Sequence, residues 1–511
     1  MRVATVDIET PLIPPAGVMA LNKIYCIGVK INDGPTHQFT YIYHPSSSGN
    51  LRGALNLINS CDICIGHNFV KFDAPVINQL VGLITIPILD TLILSKMMYT
   101  QDQLVANDAQ DENHPKNLYG SYSLKAFGHR FGNHKIHFEQ FDRLTDEMLV
   151  YCTQDVELTY QLYIHLRNNP NYPPDRAIRL EHDVAAITFD QEQFGFYFDI
   201  DSARKMYTKF LFERGNLDRK LQKQFRPMFL PDGPIQTTNK QIRRRMYEPT
   251  TQHVDSWFTS TGNFNFKPYR KPLKKFKSGK LRLPAKTKYK WFDRPHHLGY
   301  SVKNGEYQNI KLTRFEATDN QIKTWLDRMY GFQFDSFTKT GNIKVERDEL
   351  AKLGTYGEDL TTLIKLKKDI SQLGGTDNSL ISQYRPETHS IHGRIDTLGA
   401  ATHRCTHSSP NLAQIPADHD WRALFTAPPG HHLVGADLAN IEIRVLAHYL
   451  AEYDSGKYAQ AVLSKDMHWY HAKLAGFWDK DDRDWPTDAE DHLRTPEMKA
   501  ARAKSKGFFF G

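Results

Sequence analysis

"VATVDIET", residues 3–10, is an apolar strand pattern interrupted by two acidic residues, Asp7 and Glu9. Side chains two residues apart in a strand point to the same face, so the two carboxylates are expected side by side. Neighbouring carboxylates on an otherwise apolar strand repel each other unless cations neutralise them. The stretch therefore predicts a strand that binds divalent cations on one face.

The strand and helix patterns that follow this strand predict an α/β domain. Further strand patterns occupy residues 24–31 and 61–66, and helical patterns occupy residues 73–82, 90–99, 123–131 and 145–166. The sequence "NNPNYPPD" at 168–175 is a Pro/Asn linker, which is typical of a domain boundary. Residues 1–167 are therefore predicted to form one α/β domain.

Three more residues complete a candidate catalytic set with Asp7 and Glu9. Asp73 in "GHNFVKFDAPVI" begins a predicted helix, and Tyr151 and Asp155 in "YCTQDVELTY" lie one turn apart on one helix face. Four carboxylates and a phenol are hard oxygen donors, which Mg²⁺ or Mn²⁺ prefers. Two such ions would activate a water and stabilise the leaving 3′-oxygen of a phosphodiester, with Tyr151 orienting the water.

The composition is that of a globular protein of about three domains. The chain has 511 residues, 40% apolar and 24% charged, and no apolar run approaches the ~18 residues of a membrane span. The N-terminus lacks the apolar core of a signal peptide, and five cysteines in so long a chain do not form a disulfide framework. Cys61 and Cys64 have CxxC spacing, but no second metal-ligating pair follows, so we interpret them as part of a strand. The cytoplasm is the predicted location, with no membrane partner.

The formal net charge of +7 is concentrated in one segment. Residues 266–290 hold eleven Lys or Arg and no acid, so the rest of the chain is net negative. Basic residues interleaved with Tyr, Phe and Pro favour binding to the backbone of duplex DNA, with Lys271, Lys274 and Lys275 as candidate contacts. The alternative is a solvated loop without a ligand.

Beyond the linker, helical patterns alternate with irregular sequence. Helices are predicted at 176–194, 201–225, 319–330, 346–371, 440–454 and 496–510, short strands and turns at 380–430, and a strand at "HHLVGAD", residues 431–437. Asp437 would lie at the end of that strand. Arg502, Lys506 and Phe510 are spaced i, i+4, i+8, so they share a helix face that can bind phosphates and stack on a base.

The acidic set over residues 1–165 resembles the DEDD proofreading exonuclease superfamily, tyrosine subtype, and Asn68 and Phe72 fit its second motif. "THRCTHSSPNLAQIP" (402–416), "VGADLANIEIRVLAHYL" (434–450) and "RAKSKGFFFG" (502–511) resemble three ordered blocks of the family A (DNA polymerase I-like) DNA polymerases. Within that family the chain is most similar to the replicases of short-tailed phages that borrow host thioredoxin.

This resemblance implies a ribonuclease H-like α/β exonuclease domain followed by an incomplete right-hand α+β polymerase domain. The implied domains are the exonuclease (1–167), a thumb (176–375) with a basic insertion (231–312) that could bind duplex DNA or host thioredoxin, part of the palm (376–450) and the start of the fingers (451–511).

The resemblance also implies roles for residues of the polymerase blocks. Asp437 and the backbone carbonyl of Leu438 would bind metal ions, and Glu442 would exclude a ribose 2′-hydroxyl. The nucleotide-binding set would be completed by His468, Arg502, Lys506 and Phe510, and the set that contacts primer-template DNA consists of Arg404, Asn411 and Gln414. Two divalent ions are expected at each active site, and the substrates would be primer-template DNA and dNTPs.

The family carries a second palm carboxylate in a His-Asp-Glu strand motif downstream of the fingers helix. In this sequence "EHDVAA" (181–186) and "DHD" (418–420) both precede Asp437, so neither fits that motif. We therefore predict the N-terminal subunit of a split phage polymerase, completed by a second polypeptide in the cytoplasm of an infected bacterium. The alternatives are a stand-alone 3′–5′ exonuclease with a vestigial polymerase part and a non-catalytic DNA-binding chain.

Overall fold

A computed structural model describes residues 1–14, 16–225, 228–238, 242–244, 300–302, 305–316, 318–331, 345, 350–464, 467–479 and 495–510. The chain divides into two compact units, Met1–Pro429 and Gly430–Gly511. Lys271, Lys274 and Lys275, and most of the predicted basic insertion, lie outside the described residues.

The first unit begins with a six-stranded mixed sheet. Its strands are β1 (Val3–Glu9), β2 (Cys26–Ile31), β3 (Thr36–Thr40), β4 (Gly49–Asn50), β5 (Ile63–Gly66) and β6 (Ile88–Asp90). They lie in the order β4-β3-β2-β1-β5-β6. The strand β1 is central, antiparallel to β2 and parallel to β5. Its apolar side chains Ala4, Val6 and Ile8 are buried in the main core of this sheet.

Six helices cover this sheet. They are α1 (Leu51–Asn59), α2 (Asp73–Leu80), α3 (Thr91–Met98), α4 (Gln101–Asp108), α5 (Leu124–Arg130) and α6 (Asp146–Arg167). Side-chain caps fix where several of them begin: Thr145 accepts a hydrogen bond from the Met148 backbone N–H at the start of α6. The predicted mixture of strands and helices is therefore present in this region, and the predicted elements lie within a few residues of their expected bounds.

The long helix α6 packs directly on β1 and β2 because Gly28 leaves room for it. A Cβ atom at Gly28 would lie 2.8 Å from Val156 Cγ2 and 3.0 Å from Cys152 Sγ. This close approach brings the middle of α6 over the strand that carries Asp7 and Glu9.

The rest of the first unit combines longer helices with short strands. Its elements in chain order are α7 (Asp175–Phe194), β7 (Phe196–Tyr197), α8 (Ile200–Gln224), β8 (Met228–Thr238), β9 (Ile242–Arg244), β10 (Tyr300–Val302), β11 (Gly305–Thr313), α9 (Asp319–Tyr330), α10 (Thr355–Ile370), β12 (Tyr384–Arg385), β13 (Ser390–Ile391), β14 (Arg394–Asp396), β15 (Thr406–Ser408) and α11 (His419–Arg422). The helices α8, α9 and α10 share a core that contains Leu221, Trp325 and Leu360.

The helix predicted at 346–371 is shorter than expected. Residues 346–349 lie outside the described part, residues 352–354 form a turn, and α10 begins only at Thr355. Gly354 has φ of +59°, a left-handed conformation that interrupts a right-handed helix.

The regular secondary structure of the second unit is helical among its described residues. It contains α12 (Ile441–Asp454), α13 (Lys457–Ser464), α14 (Met467–Leu474) and α15 (Pro496–Phe510). The helices α14 and α15 pack together through Trp469, Ala472, Met498 and Ala501. No helix in the described ranges is both long enough and apolar enough to cross a lipid bilayer.

The strand predicted at 431–437 is not formed. These residues form no regular secondary structure, and Leu433 and Val434 are 61% and 87% exposed. A strand needs a hydrogen-bonded neighbour, and within the described part of the chain no strand pairs with this segment. The prediction of a strand leading to Asp437 was therefore wrong for this structure.

We expect Gly28→Ala to destabilise the first unit by about 1–3 kcal/mol, because the added methyl group has no room between β2 and α6. Gly215→Ala is the matched control, since a Cβ atom there meets nothing within 4 Å in the middle of α8. The control should be neutral or stabilising by up to about 1 kcal/mol. Scanning calorimetry of both variants measures the difference, and equal stability would contradict the tight packing of α6.

Candidate active site

The site is centred on the carboxyl end of β1. Asp7 is paired with Gly28 and Glu9 with Cys26 on the neighbouring strand β2. The two carboxylates and the thiol of Cys152, from α6, have ligand atoms that all lie within 4.8 Å of one another. Their side chains thus share the face of the sheet that α6 covers, as the spacing of the two acids predicted.

Asp73 joins this cluster from the first residue of α2. It is 4% exposed, and its Oδ1 accepts a hydrogen bond of 3.1 Å from the backbone N–H of Ile8, the residue between the two acids of β1. The segment before it is held by Asp90, whose carboxylate accepts hydrogen bonds from the backbone N–H groups of Asn68 and Val70. Asn68 itself adopts a φ of +59°.

Tyr151 and Asp155 face the cluster from α6, one turn apart. The Tyr151 ring stacks on Phe138, with ring centroids 5.2 Å apart, and meets Phe141 edge-on at 6.2 Å. Asp155 is buried, and its Oδ1 atom has no hydrogen-bond partner. The five residues chosen from the sequence are therefore brought together.

The structure adds two neighbours that the sequence reasoning missed. The Nζ of Lys135 lies 2.5 Å from Asp155 Oδ2 and 4.6 Å from the centre of the Tyr151 ring. Cys152 lies between Tyr151 and Asp155 on α6. Cys152 could have been predicted from the sequence, because it lies three residues before Asp155 on the same helix face. Lys135 could not, because it belongs to the irregular segment between α5 and α6, where no periodicity places its side chain.

Burial and mutual repulsion raise the pKa values of the acids. Burial raises the pKa of Asp7, and the nearby Asp155 adds to this effect. Burial and the neighbouring Asp7 raise the pKa of Glu9 to about 10. The pKa of Asp73 is raised by burial and then by Asp7. Without further cations, Glu9 therefore keeps its proton in the folded protein at neutral pH.

The pKa values of Lys135 and Tyr151 are also shifted by burial and by the nearby Asp155. Burial acts to lower the pKa of Lys135, but the neighbouring Asp155 and Tyr151 outweigh it, and the net shift is upward. Burial and Asp155 raise the pKa of Tyr151 to about 12, so its phenol keeps its proton at neutral pH.

The donor set fits hard divalent cations. Carboxylate oxygens are the ligands that Mg²⁺ and Mn²⁺ prefer, and one Asp155 oxygen is buried without a partner. The thiol of Cys152 does not belong to this donor set. A hydrogen bond with Cys26 and burial raise its pKa, so it remains protonated and is a poor ligand for a hard ion.

The candidate polymerase residues of the second unit lie on separate elements. Asp437 and Leu438 are in the exposed segment before α12, and Glu442 is exposed in the first turn of α12. His468 is buried in α14, and Arg502 is half-buried in α15. Lys506 and Phe510 also belong to α15, and their side chains lie outside the described part of the structure.

The candidate DNA contacts of the first unit lie near β15. Arg404 is exposed in the turn before β15, and its backbone carbonyl accepts a hydrogen bond from the Ala400 N–H. Asn411 accepts a hydrogen bond from the backbone N–H of Ala413. The backbone carbonyl of Gln414 accepts one from the side chain of Gln372.

Comparison with known proteins finds similarity to DNA polymerases. A family model described as DNA polymerase family A matches residues 301–477. The DNA-directed DNA polymerase of Escherichia phage T7 is 26% identical over 522 residues, which cover 88% of this chain and 70% of that protein. The chain is thus similar to family A DNA polymerases, over residues 301–477 by the family model.

Other DNA polymerases are also similar to this chain. The DNA-directed DNA polymerase of Enterobacteria phage T3 is 25% identical over 88% of this chain and 70% of that protein. DNA polymerase I of Rhizobium leguminosarum is 33% identical over 23% of this chain and 12% of that protein.

A solved structure supports the fold. The POL domain of Pol1 from M. smegmatis, in complex with DNA primer-template and dNTP, matches with a TM-score of 0.56 and 13% identity, over 100% of this chain and 68% of that one. At this identity the match concerns the fold alone.

We expect Glu9→Gln to stabilise the metal-free protein increasingly between pH 5 and pH 9. Because the pKa of Glu9 is raised, the unfolded chain loses the proton near pH 4.5 while the folded protein keeps it to about pH 10. Stability is therefore lost as the pH rises through this window, and the substitution removes that loss, on the order of a few kcal/mol.

Thermal unfolding in EDTA measures this difference, with the exposed Glu139→Gln as a control that should leave the midpoint unchanged. Mn²⁺ should stabilise the wild-type chain more than Glu9→Gln, since binding to the folded state alone raises stability. A constant difference between pH 5 and pH 9 would show that Glu9 does not carry this charge.

Proposed function

We propose that this chain is a family A DNA polymerase whose first domain is a metal-dependent 3′–5′ proofreading exonuclease. The convergence of Asp7, Glu9, Asp73 and Asp155 beside Tyr151 carries the exonuclease part of this proposal. The cluster contains buried acids with raised pKa values, and one oxygen of Asp155 has no hydrogen-bond partner. Such clusters are typical of active sites.

The four carboxylates would hold two Mg²⁺ or Mn²⁺ ions. When bound, such ions supply a nucleophilic water at neutral pH and stabilise the leaving 3′-oxygen of the phosphodiester. The buried acids give the ions a fixed frame: Asp73 is tied to β1 by its bond to Ile8, and Asp7 and Glu9 are set by the strand itself.

Tyr151 would orient the attacking water. Its high pKa keeps the phenol protonated, so it acts as a hydrogen-bonding group and not as a general base. The rings of Phe138 and Phe141 restrict the phenol, which reduces the entropy lost when the water and the substrate are aligned.

The polymerase part of the proposal rests on the second unit and on the end of the first. Asp437 and the Leu438 carbonyl would bind the metal ions of synthesis, and Glu442 would select deoxyribose. The phosphates and the base of the dNTP would be bound by His468, Arg502, Lys506 and Phe510. The primer-template would be contacted by Arg404, Asn411 and Gln414, and the basic insertion would add contacts to the duplex or to thioredoxin.

Synthesis would also need a second palm carboxylate. Among these 511 residues the sequence supplies Asp437 as the candidate. We propose that a second polypeptide supplies this second carboxylate.

A second candidate function is 3′–5′ exonuclease activity without synthesis. One observation favours it: the exonuclease residues are assembled within the first unit, whereas Asp437 lies in the exposed segment 431–438. The two functions differ in whether primer extension can be restored.

Asp7→Asn should reduce degradation of a 5′-labelled single strand by about a thousandfold or more, because it removes a metal ligand. Tyr151→Phe should cost less, about ten- to a hundredfold, because the metal ions would still position the water. Gel-resolved time courses with Mg²⁺ measure both. Asp146→Asn, at an exposed acid on α6, is the matched control and should retain full activity. Equal loss in the control would argue against a specific site.

Primer extension should require both Asp437 and the second carboxylate. We expect the 511-residue chain alone not to extend a primer, and extension to appear when the missing palm segment is supplied in the same solution. Asp437→Asn should abolish the restored extension and leave exonuclease activity intact. Efficient extension by the isolated chain would contradict the need for a second carboxylate, and failure of every complementing segment would favour the exonuclease alone.

A further inference from the structure

Lys135 is held at the exonuclease site by a specific arrangement of the backbone. It belongs to the irregular segment between α5 and α6, where a lysine side chain would ordinarily extend into solvent. Instead its side chain is only 18% exposed and reaches Asp155, with 2.5 Å between Nζ and Oδ2.

Gln154, the residue next to Asp155, fixes the backbone on both sides of Lys135. Its Oε1 accepts a hydrogen bond of 2.6 Å from the Ile136 N–H, and its Nε2 donates one of 2.8 Å to the His134 carbonyl. Gln154 thus binds the backbone on both sides of Lys135, while Asp155, the next residue of α6, forms an ion pair with the Lys135 ammonium group. This two-point attachment sets the position of Lys135 relative to the helix.

The two carboxylate oxygens of Asp155 have different surroundings. Oδ2 is engaged by Lys135, whereas Oδ1 is buried with no hydrogen-bond partner. The same ammonium group lies 4.6 Å from the centre of the Tyr151 ring, a favourable cation–π distance. Lys135 therefore restrains both functional side chains that α6 contributes.

We propose that Lys135 is a positioning residue of the exonuclease: it holds Asp155 through Oδ2 so that Oδ1 is free to bind a metal ion, and it restrains Tyr151. The inference rests on the proposed exonuclease function. Groups that orient a metal ligand typically contribute about ten- to a hundredfold to metal affinity or activity.

A simpler role would be that of a counter-charge. In that case the ammonium group only neutralises the crowded acids, and its removal should make divalent cations bind more tightly, because one positive charge beside the site is gone. The positioning role predicts the opposite sign: without Lys135 the Asp155 carboxylate is free to rotate, and cations bind more weakly. The direction of the change separates the two roles.

The experiment measures Mn²⁺ binding to the full chain by electron paramagnetic resonance, without DNA, and single-strand degradation in parallel. Lys135→Met should weaken Mn²⁺ binding about tenfold and lower kcat about ten- to a hundredfold, with little change in KM for the single strand. Lys135→Arg, which keeps the charge and the donors, should recover part of both losses. Gln154→Ala should reproduce a smaller version of them.

Lys30→Met is the matched control. Lys30 is also a buried lysine paired with α6, at 2.9 Å from Glu157 Oε2, but it contacts none of the proposed ligands among the described residues. It should leave Mn²⁺ affinity and kcat unchanged. Circular dichroism of all variants verifies that they are folded.

Tighter Mn²⁺ binding by Lys135→Met, or unchanged binding and kcat, would overturn the positioning role while leaving the exonuclease proposal intact. If the wild-type chain neither binds Mn²⁺ nor degrades single strands, the exonuclease proposal falls, and the role of Lys135 falls with it.

Discussion

The first domain is organised around a cluster of carboxylates that is buried before any cation is bound. Burial disfavours the charged form of a carboxyl group, and neighbouring carboxylates raise its pKa further. The ionised forms of Asp7, Glu9 and Asp73 are therefore unfavourable in the folded protein. A protein keeps such a cluster only if the rest of the structure holds it in place. Here the central strand, the first turn of α2 and the middle of α6 each contribute to that frame, and none of the three can move without separating the carboxyl groups.

The frame depends on small residues and on groups that are not ligands. Gly28 lets α6 approach the sheet, Asp90 organises the turn before α2, and Gln154 attaches the α5–α6 segment to α6. Asp90 and Gln154 form hydrogen bonds with backbone atoms, whereas Gly28 leaves space for side chains of α6. The chemistry of the site is thus concentrated in a few oxygens, whereas their geometry is distributed over the whole domain.

Most of the carboxylate cluster could be predicted from the sequence because local periodicity determines it. Asp7 and Glu9 follow the two-residue period of a strand, and Tyr151 and Asp155 follow one turn of a helix. Lys135 and Asp90 could not be found this way, since irregular segments carry no period and their partners are distant in sequence. The strand expected before Asp437 failed for a different reason: a strand is defined by its neighbour, and residues 431–437 have no paired strand within the described part.

The hydrogen bonds of Asp90 extend beyond the site to helix α7. The Asp90 backbone N–H donates to Nε2 of His182, at 2.7 Å, and Nδ1 of the same ring lies 2.7 Å from the Ile178 carbonyl. Lys71, two residues before Asp73, is bound to Glu192 near the end of α7 and to the Ile395 carbonyl of β14. The segment that carries Asp73 is therefore hydrogen-bonded to α7 and to β14. A displacement of α7 or β14 would therefore also displace the backbone that positions Asp73.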